Sequence, residues 1–477
     1  MSMIEHSKYM RVALDCAEKG CGRVNPNPMV GAVVVKNGEI IATGYHERYG
    51  APHAEINAFS ACRISPEGAS LYVTLEPCSH FGKTPPCTDA IIESGVKRVV
   101  IGIRDANPLV NGKGVQKLRE NGIDVIEGVL EAECRKQNEV YFHYIINKTP
   151  FVVMKYAMTM DGKTASYTGE SKWITGGEAR RRVHQDRRRY SAIMVGVGTV
   201  ISDDPLLTSR VDDEPLPVNS DDRRQAIVGC NEGDPLPVDH DDSDQSIPSR
   251  MDDSNQSIAS RMDDSDQFRV ACDKEDLLHV DRDDSDRSIA SRMDDSDQSI
   301  ASRMDDSNQS IASRMDDGLP EHNPIRIICD TNLRTPAGSK VVTTARKVRT
   351  IIATACTDAN KYEPYANAGC AIFIVSKKDG KVDLNELMAE LGKVGIDSIL
   401  LEGGGTLNWS AINSGIVNKV QAYVAPKILG GVSAQSPVAG IGVKTPDRAY
   451  LLTNRSITTF SNGDILIETD ISKCLQE

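Results

Sequence analysis

His53, Cys78 and Cys87 are residue types that ligate zinc, and Glu55 stands two positions after the histidine. One imidazole and two thiolates suit Zn²⁺, and three protein ligands leave a fourth position for water. Zinc lowers the pKa of such a water to about 7, so hydroxide is available at neutral pH. Glu55 is placed to take a proton from that water and pass it to a leaving amine. Such a set suits hydrolytic deamination, in which the glutamate is not a ligand. A structural zinc is the alternative reading, but it usually closes with four ligands, and only three are obvious here. Pro77 before Cys78 and the His-x-Glu spacing favour the catalytic one.

One feature departs from the generic pattern: eight residues, Ser79 to Pro86, separate the two cysteines. The run from Pro77 to Cys87 resembles the riboflavin-pathway deaminases. His80 and Lys83 lie between the ligands, bringing polar and cationic groups that a phosphate-bearing substrate would use.

Several elements must position these residues. Residues 4–19 have helical periodicity through Tyr9, Val12, Ala13, Cys16 and Ala17. Asn25-Pro26-Asn27-Pro28 is a rigid turn feeding a strand at 30–35, and Asn37-Gly38 signals a hairpin into 40–43. A helix opens at His53, a strand over 70–74 delivers Glu76 and Cys78, and Cys87 opens a helix that stops at Gly95. The dipole of that last helix would favour a thiolate. An apolar strand over 99–103 leads to Asp105 and Asn107.

Taken together, residues 1–147 are similar to the deaminase half of the bifunctional riboflavin biosynthesis family, which implies a cytidine-deaminase-like three-layer α/β fold. The resemblance implies zinc on His53, Cys78 and Cys87 and the proton donor at Glu55. It also implies substrate contacts from Asn27, His46, His80, Lys83, Asp105 and Asn107. Without it, Asn27 and Asn107 read equally as turn residues beside prolines, and His46 as a surface histidine.

After Thr149-Pro150, apolar runs alternate with helical patterns at 151–154, 192–196, 325–329, 350–354, 371–375, 399–401 and 419–425. Residues 384–394 and 407–413 read as helices. This is an α/β pattern with a largely buried sheet. Glu402-Gly403-Gly404-Gly405-Thr406 ends a strand and opens a helix, a geometry in which backbone N–H groups hold a diphosphate. The spacing is not G-x-G-x-x-G, and a plain tight turn is the alternative.

Together with Ala157–Lys163, Ser171–Thr175 and Gly198–Thr208, this stretch is similar to the riboflavin-specific reductases, which implies a dihydrofolate-reductase-like α/β fold. The resemblance implies NADPH contacts at Ala157, Trp173, Thr199, Asp203, Thr331 and the run Gly404, Gly405, Thr406, Leu407, Asn408, Trp409 and Ser410. It implies substrate contacts at Ser171, Arg187, Leu207, Arg210 and Glu402. On residue type alone, Trp173 reads as core. No general acid for hydride transfer is evident.

The chain has 477 residues, enough for two or three domains, and a net charge of −13. Residues 211–323 carry about −20 of that charge, which leaves the rest near +7 and suits a phosphorylated small molecule or a dinucleotide. Arg180–Arg182 and Arg187–Arg189 read as helix surface, and no basic run argues for nucleic acid. No apolar run approaches the roughly 20 residues of a membrane helix. Met1–Arg11 resembles neither a secretion signal nor a transit peptide. Twelve scattered cysteines point to a reducing compartment, the cytosol. The family suggests a homo-oligomer.

Between the halves of the second domain, 150–210 and 324–470, an 11-residue acidic unit recurs from Asp241, Asp252, Asp283, Asp294 and Asp305. Its only large apolar residues, Ile and Met, stand four and seven apart, two in every eleven residues, and bury too little to offset the entropy of ordering the chain. Such a segment is expected to be disordered; a solenoid and calcium binding are the lesser readings.

The expectation is one chain carrying two steps. A zinc deaminase acts on a diaminopyrimidinone bearing ribosylamine 5′-phosphate, and an NADPH reductase then converts ribosyl to ribityl. A deaminase of a nucleic-acid base and a non-catalytic zinc-stabilised binding protein are the alternatives.

Overall fold

A five-stranded and a nine-stranded sheet carry the fold in the computed structural model, which describes residues 2–79, 85–108, 110–210 and 323–471. His80, Lys83 and the expected disorder of the acidic repeats up to residue 322 fall outside the described residues.

The first half runs α1 (Met3–Glu18), β1 (Gly31–Lys36), β2 (Glu39–Tyr45), α2 (Ala54–Ser60), β3 (Ser70–Leu75), α3 (Cys87–Glu93) and β4 (Arg98–Ile103). It continues through α4 (Lys113–Glu120), β5 (Asp124–Glu127), α5 (Glu131–Gln137) and α6 (Glu139–Asn147). The strand order is β2-β1-β3-β4-β5, with β3, β4 and β5 parallel and the first two pairings antiparallel. Asn37 and Gly38 both take positive φ, the two-residue turn that a hairpin prefers. Ser2 and Glu5 form a capping box that starts α1.

Strand alternation makes three layers of this half. Val33, Val35, Tyr72 and Val100 face Tyr9, Met10, Ala13 and Leu14 of α1. Val34, Leu71, Val73, Val99 and Ile101 face Ala54, Ala58, Ile91, Val115 and Leu118 of α2, α3 and α4.

The second half contains β6 (Phe151–Thr159), α7 (Gly177–Arg189), β7 (Ala192–Gly196), α8 (Val197–Asp203), β8 (Ile325–Cys329), α9 (Lys340–Thr343), β9 (Thr350–Thr354), α10 (Glu363–Ala368) and β10 (Ala371–Ile374). After these come α11 (Leu384–Lys393), β11 (Ser398–Gly403), α12 (Gly405–Asn413), β12 (Val417–Ala425), β13 (Leu452–Thr459) and β14 (Ile465–Ile471). The order is β10-β9-β8-β7-β11-β6-β12-β14-β13. The first seven are parallel, and β14 and β13 add an antiparallel edge. The buried-sheet expectation holds for the parallel strands. The antiparallel edge was not anticipated, and most of β13 is exposed.

Strands β7 and β11 are neighbours, yet the helices that follow them pack on opposite faces. Val200 of α8 joins Ile193, Val195 and Ile328, whereas Ala411 and Ile412 of α12 join Met194, Ile399 and Leu401. This is a switch point, where an open parallel sheet leaves a crevice at its carboxyl edge.

The arginine-rich helix α7 is not simply a solvated surface. Arg187 turns inward with a side chain 15% exposed, against Glu402. It is held there because a buried carboxylate needs a cation.

Candidate active sites

His53 is the N-cap of α2, and Glu55 lies in that helix's first turn. β3 ends at Leu75, three residues before Cys78, and α3 begins on Cys87. These element ends converge. His53 Nδ1 stands 3.2 Å from Cys87 Sγ and 3.6 Å from Cys78 Sγ. The three ligand atoms all lie within 4.8 Å of one another. Ligands of a tetrahedral zinc, bound at about 2.0–2.3 Å, stand roughly 3.5 Å apart, so the set fits one ion. The Cys87 N–H donates to Cys78 Sγ at 3.3 Å. Hydrogen bonds, from the Cys87 thiol first and then from His53, lower the Cys78 thiol to about 4. The hydrogen bond with that sulfur, and after it burial, pushes the Cys87 thiol up. A zinc ion held here would take both sulfurs as thiolates, and its binding would release protons. Glu55 is buried, and burial raises its carboxyl above the ordinary range. A carboxyl raised in this way is suited to carrying a proton.

A cavity of about 350 Å³ opens onto this cluster, lined by Asn27, His46, Tyr49, His53, Glu55, Cys78, Asp105, Asn107 and Tyr141, among others. The described substrate candidates therefore gather in one place. His46 is buried rather than on the surface. Its Nδ1 faces the Pro52 carbonyl at 3.1 Å, so Nδ1 carries the proton and donates. Nε2 is then the acceptor for the Asn27 amide at 3.2 Å. Asp105 accepts from the Tyr141 hydroxyl at 2.8 Å and from the Asn107 N–H at 2.9 Å.

Glu76 is a buried carboxylate to which the sequence assigns no role. Its buried carboxylate accepts from the backbone N–H of Gly112 at 3.0 Å, Val115 at 3.2 Å and Asp105 at 3.3 Å. It ties the loop carrying Asp105 and Asn107 to the strand that delivers Cys78. Tyr141 was also missed. Its place on α6, far along the chain, left no local signal.

In the second half, Thr199, in the first turn of α8, stands beside the glycine turn before α12. Its hydroxyl donates to the Gly403 carbonyl at 3.5 Å. Gly404 has φ +88°, and a Cβ there would stand 3.3 Å from Thr199 Oγ1. A Cβ on Gly405 would stand 2.8 Å from the Ser436 carbonyl. These glycines leave bare backbone at the crevice, as a bound diphosphate requires.

The rest of the expected cofactor run is mixed. Thr406 is exposed and Ser410 is half-buried, with Lys381 Nζ donating to Ser410 Oγ at 3.1 Å. Leu407 packs on the core, and the buried Asn408 amide is spent on the Pro437 carbonyl at 2.8 Å. Trp409 stands edge-on to Tyr450. Ala157 lies on β6, and Asp203 is exposed at the end of α8. Thr331 follows β8 and accepts from the Val382 N–H at 3.1 Å. Trp173 is not core: it is 64% exposed, with the Arg180 guanidinium 4.4 Å above its ring.

Arg187 and Glu402 are paired, and Arg187 also donates to the Thr208 carbonyl at 2.9 Å. That contact draws in the loop bearing the buried Leu207 and the exposed Arg210. Ser171 is half-buried in the loop before Trp173. Lys155 was not anticipated. Its Nζ stands 3.9 Å from Glu402, and burial lowers its pKa.

Comparison with known proteins finds a match for each half of the chain. Residues 3–103 match the cytidine and deoxycytidylate deaminase zinc-binding region. Residues 150–240 and 250–466 match the RibD C-terminal domain. The riboflavin biosynthesis protein RibD of Actinobacillus pleuropneumoniae is 40% identical over 460 residues, covering 96% of this chain and 94% of that protein. The chain belongs to the RibD family. The RibD of Escherichia coli (strain K12) is 31% identical over 425 residues, covering 88% of each chain. A crystal structure of a diaminohydroxyphosphoribosylaminopyrimidine deaminase/5-amino-6-(5-phosphoribosylamino)uracil reductase from Thermotoga maritima matches with a TM-score of 0.67. It is 32% identical and covers 98% of this chain and 99% of that one. As a RibD, the chain is a bifunctional enzyme of riboflavin biosynthesis, a zinc-dependent deaminase joined to an NADPH-dependent reductase. A nucleic-acid base deaminase and a purely structural zinc protein give way to this assignment.

Proposed function

We propose that residues 1–147 deaminate 2,5-diamino-6-(5-phosphoribosylamino)pyrimidin-4-one, and that residues 150–210 with 324–470 then reduce its ribosyl group to ribityl. On this reading residues 211–323 are an insertion into the reductase domain. The convergence of His53, Cys78 and Cys87 within 4.8 Å, at a cavity that also holds Glu55, carries the reading.

Bound zinc supplies a water acidic enough to ionise near neutral pH. His53, Cys78 and Cys87 would hold the ion. Glu55 takes a proton at its carboxylate and returns it to the departing amine. Asn27, His46, Asp105 and Asn107 line the substrate cavity. NADPH supplies a hydride to the reductase half. Thr199, Gly404 and Gly405 would offer hydroxyl and backbone N–H groups to its phosphates. Arg187 and Glu402 orient the sugar phosphate, and Lys155 keeps a cation beside them.

The substrate partner is a phosphorylated pyrimidine. A homo-oligomer is supported by the exposed edge strand β13, with Leu452 and Ile457 outward, and by exposed Ile428, Val432 and Ile441. A cytoplasmic location is supported by the free cysteines among the described residues. No helix among the described residues is long and apolar enough to cross a membrane.

The test is ammonia release from the diaminopyrimidinone by the purified chain, followed by NADPH oxidation that depends on the deaminated product. Glu55→Gln should retain zinc and lose at least about a hundredfold in ammonia release. Undiminished release would remove Glu55 from the mechanism.

A further inference from the structure

The turn that carries Asn27 is held at two points, and one of them belongs to the other half of the chain. On its far side, the Met29 N–H donates to Asn138 Oδ1 and the Met29 carbonyl accepts from Asn138 Nδ2, both at 2.8 Å. On its near side, Asn25 Nδ2 donates to Asp397 Oδ2 at 2.7 Å. Asp397 is 1% exposed and immediately precedes β11 of the reductase half. Its other oxygen accepts from Ser191 Oγ at 2.5 Å and Ser398 Oγ at 2.6 Å. The carboxylate is therefore fixed by its own half while it reaches across.

The two halves meet closely at this place. A Cβ on Gly22 would lie 2.2 Å from the Arg188 carbonyl, and one on Gly392 would lie 2.0 Å from the Lys148 carbonyl. Lys419, on β12, pairs with Glu139 of α6. A cavity of about 30 Å³ between the halves is lined by Asn25, Asn27, Asn138, Arg189 and Asp397 among others. That is room for about one water.

From Asn25 the connection runs through the turn to Asn27, then to His46, and through the Pro52 carbonyl to the neighbour of zinc ligand His53. We propose that Asp397 is a positioning residue for the deaminase: the reductase half fixes the Asn25–Pro28 turn and so sets Asn27 and His46 against the substrate. Asp397 touches no reacting atom. The proposal rests on the deaminase reading of the first cavity. A side chain held at both ends of a short turn has little freedom. Released at one end, it must be ordered by the substrate instead, which weakens binding more than turnover.

The test uses the full chain with its zinc. Asn25→Ala should raise the KM for deamination about tenfold, the scale of one lost hydrogen bond to a charged group, and change kcat less than about twofold. Zinc content and the KM of NADPH-dependent reduction of the deaminated product should stay at wild-type values. Asp397→Ala should give a matching KM shift, and the double variant should add nothing to it. An unchanged deaminase KM in Asn25→Ala overturns the proposal. So does a parallel loss of both activities, which would make the contact mere structural support, and so do additive shifts in the double variant. If Asp397→Ala does not fold, Asn25→Ala decides alone. A wild-type chain that releases no ammonia refutes the deaminase reading instead.

Discussion

Arg187 and Glu402 meet fork to fork, with Nε 2.6 Å from Oε1 and Nη2 2.8 Å from Oε2. Both side chains are largely buried, and Lys155 Nζ stands 3.9 Å from Glu402 Oε2. Burial alone would raise the Glu402 carboxyl, but Arg187 and Lys155 outweigh it and hold the group at about 2. Its ordinary value is 4.5. A depressed folded-state pKa contributes stability that is fully present above the unfolded value and is lost as pH falls through the folded one. The contribution is on the order of 3 kcal/mol and should disappear between about pH 4.5 and pH 2. Denaturant midpoints of wild type and Glu402→Gln should therefore converge as pH falls through that window. Parallel curves would show that the pair does not govern the carboxylate. Arg187→Met strands a buried negative charge and should cost about 3–5 kcal/mol at neutral pH, with loss of the reductase.

The metal cluster makes a separate prediction. Zinc takes cysteine sulfur as the thiolate, so binding at Cys78 and Cys87 releases protons. Zinc affinity should then weaken as the solution is acidified. Cys78→Ser and Cys87→Ser should each empty the site, measured as zinc per chain after dialysis, while NADPH binding is unchanged. A variant that retained stoichiometric zinc would remove that sulfur from the ligand set.

The glycine turn can be tested without a substrate. Valine at position 405 would drive its Cβ into the Ser436 carbonyl and the Ala439 methyl, 2.8 and 3.0 Å away. NADPH affinity of Gly405→Val, read by nucleotide fluorescence, should fall at least about tenfold, since the backbone can no longer approach a diphosphate closely. Ammonia release should be untouched. Unaltered affinity would mean the turn is only a turn.

What the sequence disclosed follows from how local each signal is. The helices at His53 and Cys87 and the stop at Gly95 are set by adjacent residues and stand where they were read. Strand β13 was missed because Leu452-Thr453-Asn454-Arg455-Ser456 is polar and exposed, and its pairing with β14 supplies what its side chains do not. His46 and Trp173 read by residue type alone as surface and core, and both are settled by partners on other segments: Asn27 and Pro52 for the histidine, Arg180 for the tryptophan. Lys155, Glu76 and Asp397 carry no motif at all. Each matters through a group that another part of the chain brings to it, and spacing along a sequence does not encode such a meeting.

The residues that flank the acidic repeats supply the last prediction. The Ser209 N–H donates to Asn323 Oδ1 at 3.2 Å, so the chain leaves and re-enters the second half at neighbouring points. Arg187 fixes the same loop through Thr208, and His184 holds it through its carbonyl to Ser209 Oγ and its Nδ1 to the Arg210 N–H. Closing so short a gap needs only a few residues. The entropy of closure changes by about 0.6 kcal/mol for each doubling of loop length, so shortening it should not destabilise the fold. Replacing residues 211–322 with a four-residue Gly-Ser linker should keep the melting temperature of the remainder, or raise it slightly. Both activities should persist, with reductase KM within about threefold of wild type. A large loss of reductase activity with the fold intact would show that the repeats reach the substrate site through Arg210. Failure to fold would show that β8 depends on them.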